Sequence, residues 1–402
     1  VGLEAIKSHC RGEVALQRFS TLGVRPAALM HVGIDARMIG HSGIGVYVTE
    51  LIRHLPAADS ELKLTLFGNL ERLRIFADSR CRPVEFRAPI YGWAERRGWP
   101  REAAECDILH APHCAAPGRP PRPLVVTVHD LIHLLGPGAL RGVRGWWARR
   151  LIGAATHAAR RVICDSEATR QDLIDAVPEA QAKREATTVI PLAPPTAFCE
   201  PAHPEEEDAW RHSQGLPHRH WLAVGIDKPH KGYDFLLGLI RETADTGIPL
   251  IVLGPDAGSF GRNHGRALRG IERSVRVMGR IEPAHLPWMY RGAVALLFPS
   301  RREGFGLPAV EAMAAGCPVL AARAGSLPEV VGDGGVLLPP DDPGPWLEAM
   351  RRLAGDDSWR RQLIEHGRSS VQRYSWTRTA RLTLEVYRGA LDDSRPATPC
   401  SF

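Results

Sequence analysis

The sequence has no apolar run approaching the ~20 residues that a membrane-crossing helix needs, so an integral membrane protein is not expected. Its first thirty residues lack the unbroken apolar core of a secretory signal, because Glu4, Lys7, Arg11, Glu13 and Arg18 interrupt them. No Cys-x-x-Cys pair occurs among the eight cysteines at positions 10, 81, 106, 114, 164, 199, 317 and 400. Reduced, mostly buried thiols in a cytoplasmic chain are therefore expected, not a disulfide framework. A dinucleotide fingerprint fails as well: after Gly43-Ile-Gly45 the place of the third glycine holds Val48. His129 and His133 stand four apart without a third ligand of matching spacing, so no metal is expected.

What is present is ordinary globular composition at a length of 402 residues, enough for two domains of ~150–200 residues each. The net charge of +6 is concentrated locally. From Arg141 to Arg161 there is no acidic residue, and Trp146 and Trp147 sit among the arginines. Arginine beside tryptophan suits an anionic membrane surface. A solvated helix face with two core tryptophans is the other reading. No nucleic-acid recognition module accompanies the patch, so no nucleic-acid partner is expected.

Short β-rich runs alternate with helical stretches throughout, which predicts parallel sheets covered by helices in an α/β chain. The first strand opens at Met30, leaving 1–29 as a leader of uncertain order. Residues 30–200 read as one Rossmann-like domain and 201–373 as a second. Residues 194–220, rich in Pro, Glu and His without apolar periodicity, read as the linker and lead-in between them. A helix over 374–391 is expected after the second domain, and 392–402 reads as a disordered tail.

The richest segment runs from Phe298 to Pro318. A buried strand ends at Phe298, a loop carries Glu303-Gly304-Phe305-Gly306, and a helix starts near Leu307 with Pro308 in its first turn. A strand, a glycine loop and a helix N-terminus make an anion site, because free amides and the helix dipole converge there. Glu303 and Glu311 flank the loop as acceptors for hydroxyl groups. Lys231 follows the strand Trp221–Val224 and suits a diphosphate. A solvated surface helix and an ordinary helix-start lysine are the plainer readings.

The string Glu303-Gly-Phe-Gly…Glu311…Ala-Ala-Gly316-x-Pro318 resembles the donor-site signature of glycosyltransferase family 4, a retaining family of two-domain GT-B architecture. Val126-Thr-Val-His129-Asp130, Gly225-Ile-Asp-Lys-Pro-His-Lys231, Gly279-Arg280 and Gly325-Ser-Leu-Pro-Glu329 extend the resemblance over roughly Met30–Gly389. It implies two Rossmann-like domains facing across a cleft, with the helix over 374–391 crossing back onto the first. It implies that Glu311 binds the ribose of a nucleotide-diphosphate sugar and that Glu303 contacts the sugar. The amides of Gly304, Phe305, Gly306 and Leu307 would hold sugar hydroxyls or the distal phosphate, and Lys231 the diphosphate, with Arg280 supporting the nucleotide. His129 would line the acceptor side and touch the sugar, oriented by Asp130. Gly43 and Gly45 would close over the phosphates from the other domain.

Relatives often carry an Arg shortly before this lysine. Here only Lys228 is near, so either Lys228 takes that contact or Lys231 acts with Arg280 or Arg302. With no Asp-x-Asp in the chain, neither metal nor other cofactor is expected in transfer. The opening Gly-Ile-Asp-Ala-Arg and the Lys-Pro-His-Lys string are similar to those of relatives that build surface polysaccharides, many from GDP-mannose. That points to a mannosyl donor and a glycan or lipid-linked acceptor, handled in the cytoplasm or at the inner membrane face. A sugar-nucleotide epimerase and a non-catalytic binding module remain the alternatives.

Overall fold

The computed structural model describes residues 30–90, 95 and 97–392. The leader over 1–29, and the tail from 393 onward, lie outside the described residues.

Seven strands form the first sheet: β1 His31–Asp35, β2 Lys63–Gly68, β3 Cys81–Glu85, β4 Ile108–Ala111, β5 Leu124–Val128, β6 Arg161–Cys164 and β7 Thr187–Val189. Six form the second: β8 Trp221–Val224, β9 Leu250–Leu253, β10 Val275–Gly279, β11 Ala295–Phe298, β12 Val319–Ala322 and β13 Val336–Leu338. The orders are β3-β2-β1-β4-β5-β6-β7 and β10-β9-β8-β11-β12-β13. Every pairing is parallel. Helices cover both faces of such sheets, so the inner strands are buried along their whole length, as in β5, β9 and β11. Strand order reverses between β1 and β4 and again between β8 and β11. Crevices open outside the carboxyl ends at such switch points.

Two of the four outermost strands, β3 and β13, escape a sequence reading. β3 carries Pro83, which only an edge strand tolerates. β13 is three residues long and runs into Pro339 and Pro340. Inside the segment read as linker lies the helix Pro204–Ser213. Its one fully buried residue is Glu207, paired with Arg291 at 2.7 Å, and its one large apolar residue, Trp210, is only half-buried. That is why no hydrophobic period betrays it. The helix Gly142–Ala158 leaves Trp146 58% and Trp147 39% exposed, so the core reading of these tryptophans does not hold.

After the second sheet the helix Trp376–Asp392 returns to the first lobe and packs along the helix Ser42–Ala58. Tyr387 hydrogen-bonds His110 Nδ1 at 2.7 Å inside the first sheet's cover. Trp376 Nε1 donates to the Pro194 carbonyl at 3.1 Å and Thr379 Oγ1 to that of Pro191 at 2.7 Å. These bonds tie the returning helix to the chain where it leaves the first sheet.

Candidate active site

The second switch point gathers the expected carboxylates and lysine. β8 ends into Gly225 and a short turn, Pro229–Lys231, that swings Lys231 back over the sheet edge. β11 ends into the loop that carries Glu303. Lys231 Nζ and Glu303 Oε1 meet at 2.6 Å, with only 11% and 10% of their side chains exposed. Ser300 Oγ donates to the same Glu303 oxygen, and the Lys231 ammonium lies 5.1 Å from the centre of the Phe298 ring. Gly225 leaves room for the lysine: a Cβ there would stand 3.1 Å from Lys231 Cε.

The helix Leu307–Ala315 begins at Gly306, whose φ of 98° is left-handed and which provides no side-chain cap. The Leu307 amide therefore keeps its donor for a ligand, backed by the helix dipole, whereas Pro308 has none and the Ala309 amide donates to the Gly306 carbonyl at 2.9 Å. Glu311, one turn in, is buried and accepts from Tyr290 Oη at 2.8 Å. Burial pushes the Glu311 carboxyl up to about 7, against the lowering pull of the Tyr290 hydroxyl and the Lys231 ammonium. Phe305 is buried edge-on to Tyr374, 5.5 Å between ring centres, and its carbonyl accepts from Ser326 Oγ.

From the first lobe, Gly43 faces this helix: a Cβ on it would lie 3.8 Å from Leu307 Cδ1. Gly45 serves its own turn instead, since a Cβ would come within 3.0 Å of the Gly40 amide nitrogen. Gly304 touches the opposite lobe directly; a Cβ there would fall 1.8 Å from the His129 carbonyl oxygen. Arg302 pairs with Asp172 of the first lobe, which removes it as a phosphate cation. Lys228 is exposed beside a cavity of about 320 Å³ that Asp227 and His264 also line, and Arg280 is exposed after β10. Neither is drawn in beside Lys231.

His129 follows β5 at the carboxyl edge, with its ring edge-on to Tyr47 at 4.8 Å. Its orienting carboxylate is Asp165, not Asp130: Nδ1 lies 2.6 Å from Asp165 Oδ2. Asp130 instead accepts the Ile132 amide at 2.9 Å, turning the chain that leaves the strand. Nε2 lies 3.0 Å from the Pro112 carbonyl, so both ring nitrogens face acceptors. Burial would lower the imidazole's pKa, but Asp165 and the Pro112 carbonyl outweigh it and raise it above the ordinary value. Asp165 and Ser166 directly follow β6, as His129 and Asp130 follow β5. That repeated signal, a polar pair at the end of a buried strand, could have pointed to Asp165. Tyr290 had no comparable signal.

The second lobe matches the family profile "Glycosyl transferases group 1" over residues 218–356, and the first matches "Glycosyltransferase Family 4" over 41–193. A D-inositol 3-phosphate glycosyltransferase of Acidothermus cellulolyticus is 30% identical over 400 residues, covering 88% of this chain and 87% of the relative. The chain belongs to glycosyltransferase family 4. O-antigen chain mannosyltransferase B of Escherichia coli is 27% identical over 380 residues, covering 86% of this chain and 96% of the relative. Among solved structures, Anabaena HepE with UDP and glucose superposes with a TM-score of 0.70 at 20% identity over 90% of this chain and 99% of that one. WaaG, a glycosyltransferase involved in lipopolysaccharide biosynthesis, gives 0.68 at 14% identity over 90% and 100%. These two share the GT-B fold.

In this family 4 glycosyltransferase the hydrogen-bond donors and cations at the cleft are Lys231, the amides before Leu307 and His129, whose pKa Asp165 helps to raise. Removing the Asp165 charge makes His129 give up its proton at lower pH. Asp165→Asn is expected to move the alkaline limb of the kcat/KM profile toward acid, measured over a pH series. Glu311 carries the opposite sign. The folded state holds its proton more tightly between the ordinary 4.5 and about 7, so its contribution to stability declines as pH rises through that window. Glu311→Gln should therefore melt higher than wild type in ligand-free scans near pH 8, with the gap closing toward pH 5.

Proposed function

We propose that this glycosyltransferase transfers a hexose from a nucleotide-diphosphate sugar to an acceptor hydroxyl with retention of anomeric configuration and without a metal. The observation that carries the reading is the buried Lys231–Glu303 pair at the uncapped mouth of the helix Leu307–Ala315, with Glu311 one turn further in. Departure of a nucleotide diphosphate leaves growing negative charge on phosphate oxygen. Lys231 and the amides of Gly304, Phe305, Gly306 and Leu307 would neutralise it, the task a metal performs elsewhere. Glu303 would turn from the lysine to a sugar hydroxyl when the donor enters, and Glu311 would accept from the ribose.

In the step itself, the bond between the anomeric carbon and phosphate oxygen breaks and the bond to the acceptor oxygen forms on the same face. The acceptor's proton passes to the departing phosphate oxygen. Glu303 acts as a positioner. The favoured donor is GDP-mannose and the favoured acceptor a glycan or lipid-linked glycan of a surface polysaccharide, a reading supported by the O-antigen mannosyltransferase relative. The inositol phosphate glycosyltransferase relative supports the reaction class but a different acceptor.

A membrane-facing orientation has its own observation. Of the six exposed large apolar side chains among the described residues, four, Leu140, Val143, Trp146 and Trp147, lie on or beside the helix Gly142–Ala158, amid Arg141, Arg144, Arg149 and Arg150. No described helix is long and apolar enough to cross a membrane. A basic face with protruding indole and valine suits peripheral attachment to an anionic leaflet.

Melting-point shifts against GDP-, UDP- and ADP-sugars will identify the donor, with GDP-mannose expected to give the largest. With that donor, Glu303→Ala should abolish turnover while nucleotide affinity stays within about threefold. Lost affinity with surviving turnover would refute these roles, and donor consumption without acceptor would favour an epimerase. In flotation assays wild type should associate with vesicles containing anionic lipid but not with neutral ones. Replacing Arg144 and Arg149 by Glu and Trp146 by Ala should abolish that association.

A further inference from the structure

One turn of chain in the first lobe makes a set of polar contacts with the second. β6 ends at Cys164, and Asp165-Ser166 lead into the helix Glu167–Ala176. Ser166 caps this helix, its Oγ accepting the Thr169 amide at 3.0 Å. That use of a lone pair leaves the hydroxyl proton free, and it is donated across the boundary to the Gly304 carbonyl at 2.5 Å. Thr169 Oγ1 stands between two carbonyls, 3.0 Å from Gly304 and 3.2 Å from His129. The neighbouring Glu167 amide donates to Glu329 Oε1 of the second lobe at 2.9 Å, and Arg302 pairs with Asp172 on the same helix. The Glu303 carbonyl itself accepts from Ser326 Oγ at 3.1 Å. Contacts from both lobes thus bracket the Glu303–Gly304 segment.

We propose that Ser166 and Thr169 are positioning residues for sugar transfer: by holding the Gly304 carbonyl across the lobe boundary, they fix the Glu303 carboxylate relative to His129. The inference rests on the reading that this loop contacts the donor sugar. The same turn carries Asp165, the partner of His129, so one stretch of five residues sets the His129 ring on one side and the donor loop on the other. Gly304 is part of the device. With His129 oxygen where its Cβ would stand, any side chain drives the lobes apart.

The test is the double variant Ser166→Ala/Thr169→Val in the full chain, with Ser166→Thr as the variant that keeps a hydroxyl. Loss of two neutral hydrogen bonds to the loop should lower kcat by about 10- to 100-fold. The Kd of the free nucleoside diphosphate should stay unchanged, because Lys231 and Glu311 are untouched. Ser166→Thr should retain most of the activity. Small-angle scattering of the ligand-free double variant should show a larger radius of gyration than wild type, and Gly304→Ala, made from the other lobe, should reproduce both effects. Circular dichroism and melting separate these outcomes from misfolding, and Gly304→Ala, which alters only a loop, keeps the test available should the double variant fail to fold. Unaltered kcat, or unaltered scattering for both variants, overturns the proposal. Absence of turnover by wild type with every sugar nucleotide would refute the proposed transfer itself, whereas an active wild type with an equally active double variant refutes only the positioning role.

Discussion

The contact between Lys231 and Glu303 is the constraint on which the second lobe's functional edge depends. A nearly buried ion pair loses most of its hydration, and removing either partner leaves a charge without compensation. The two residues stand 72 positions apart in sequence and reach each other only because β8 and β11 are adjacent parallel strands whose carboxyl ends share an edge. Ser300, the Phe298 face and the bare backbone at Gly225 then shape the space around the pair. A protein with no ligand to bind there would gain more from packed aliphatic side chains.

The first lobe repeats the logic at its own switch point. Asp35, at the end of β1, and His113, just beyond β4, lie 3.2 Å apart, and Arg37 binds both Asp35 and Glu95. Burial would raise the Asp35 carboxyl, but its bonds to Arg37 and His113 hold it well below the usual carboxylate range. Compensated charge therefore collects at the carboxyl edges of both sheets, which face one another across the lobe boundary.

Much of this was legible because position after a buried strand is a local property. Glu303, Lys231 and His129 each follow a run of apolar residues, and the helix from Leu307 to Ala315 is bounded by Pro308 and Gly316, so chain order alone brings them to the edge. Two of the edge strands were not legible: Pro83 in β3 and the brevity of Val336–Leu338 remove the β signal there. The helix Ala257–Leu268 hid behind three glycines at 258, 261 and 265. Side-chain partners were legible only as types. Asp130 adjoins His129 in sequence, yet the turn after β5 spends it on the Ile132 amide, and the strand next door supplies Asp165. Tyr290 reaches Glu311 from a separate short helix, a meeting decided by packing.

The returning helix Trp376–Asp392 means that the first lobe is not one continuous stretch of chain. Its cover is completed by residues that follow the whole second lobe, and His110, wholly buried, takes one of its two partners from Tyr387. Genetic dissection after β7 would strip away that partner and uncover the apolar flank of the helix Ser42–Ala58. The first lobe is thus a discontinuous folding unit, and only splicing the final helix onto residues 30–200 would yield it intact.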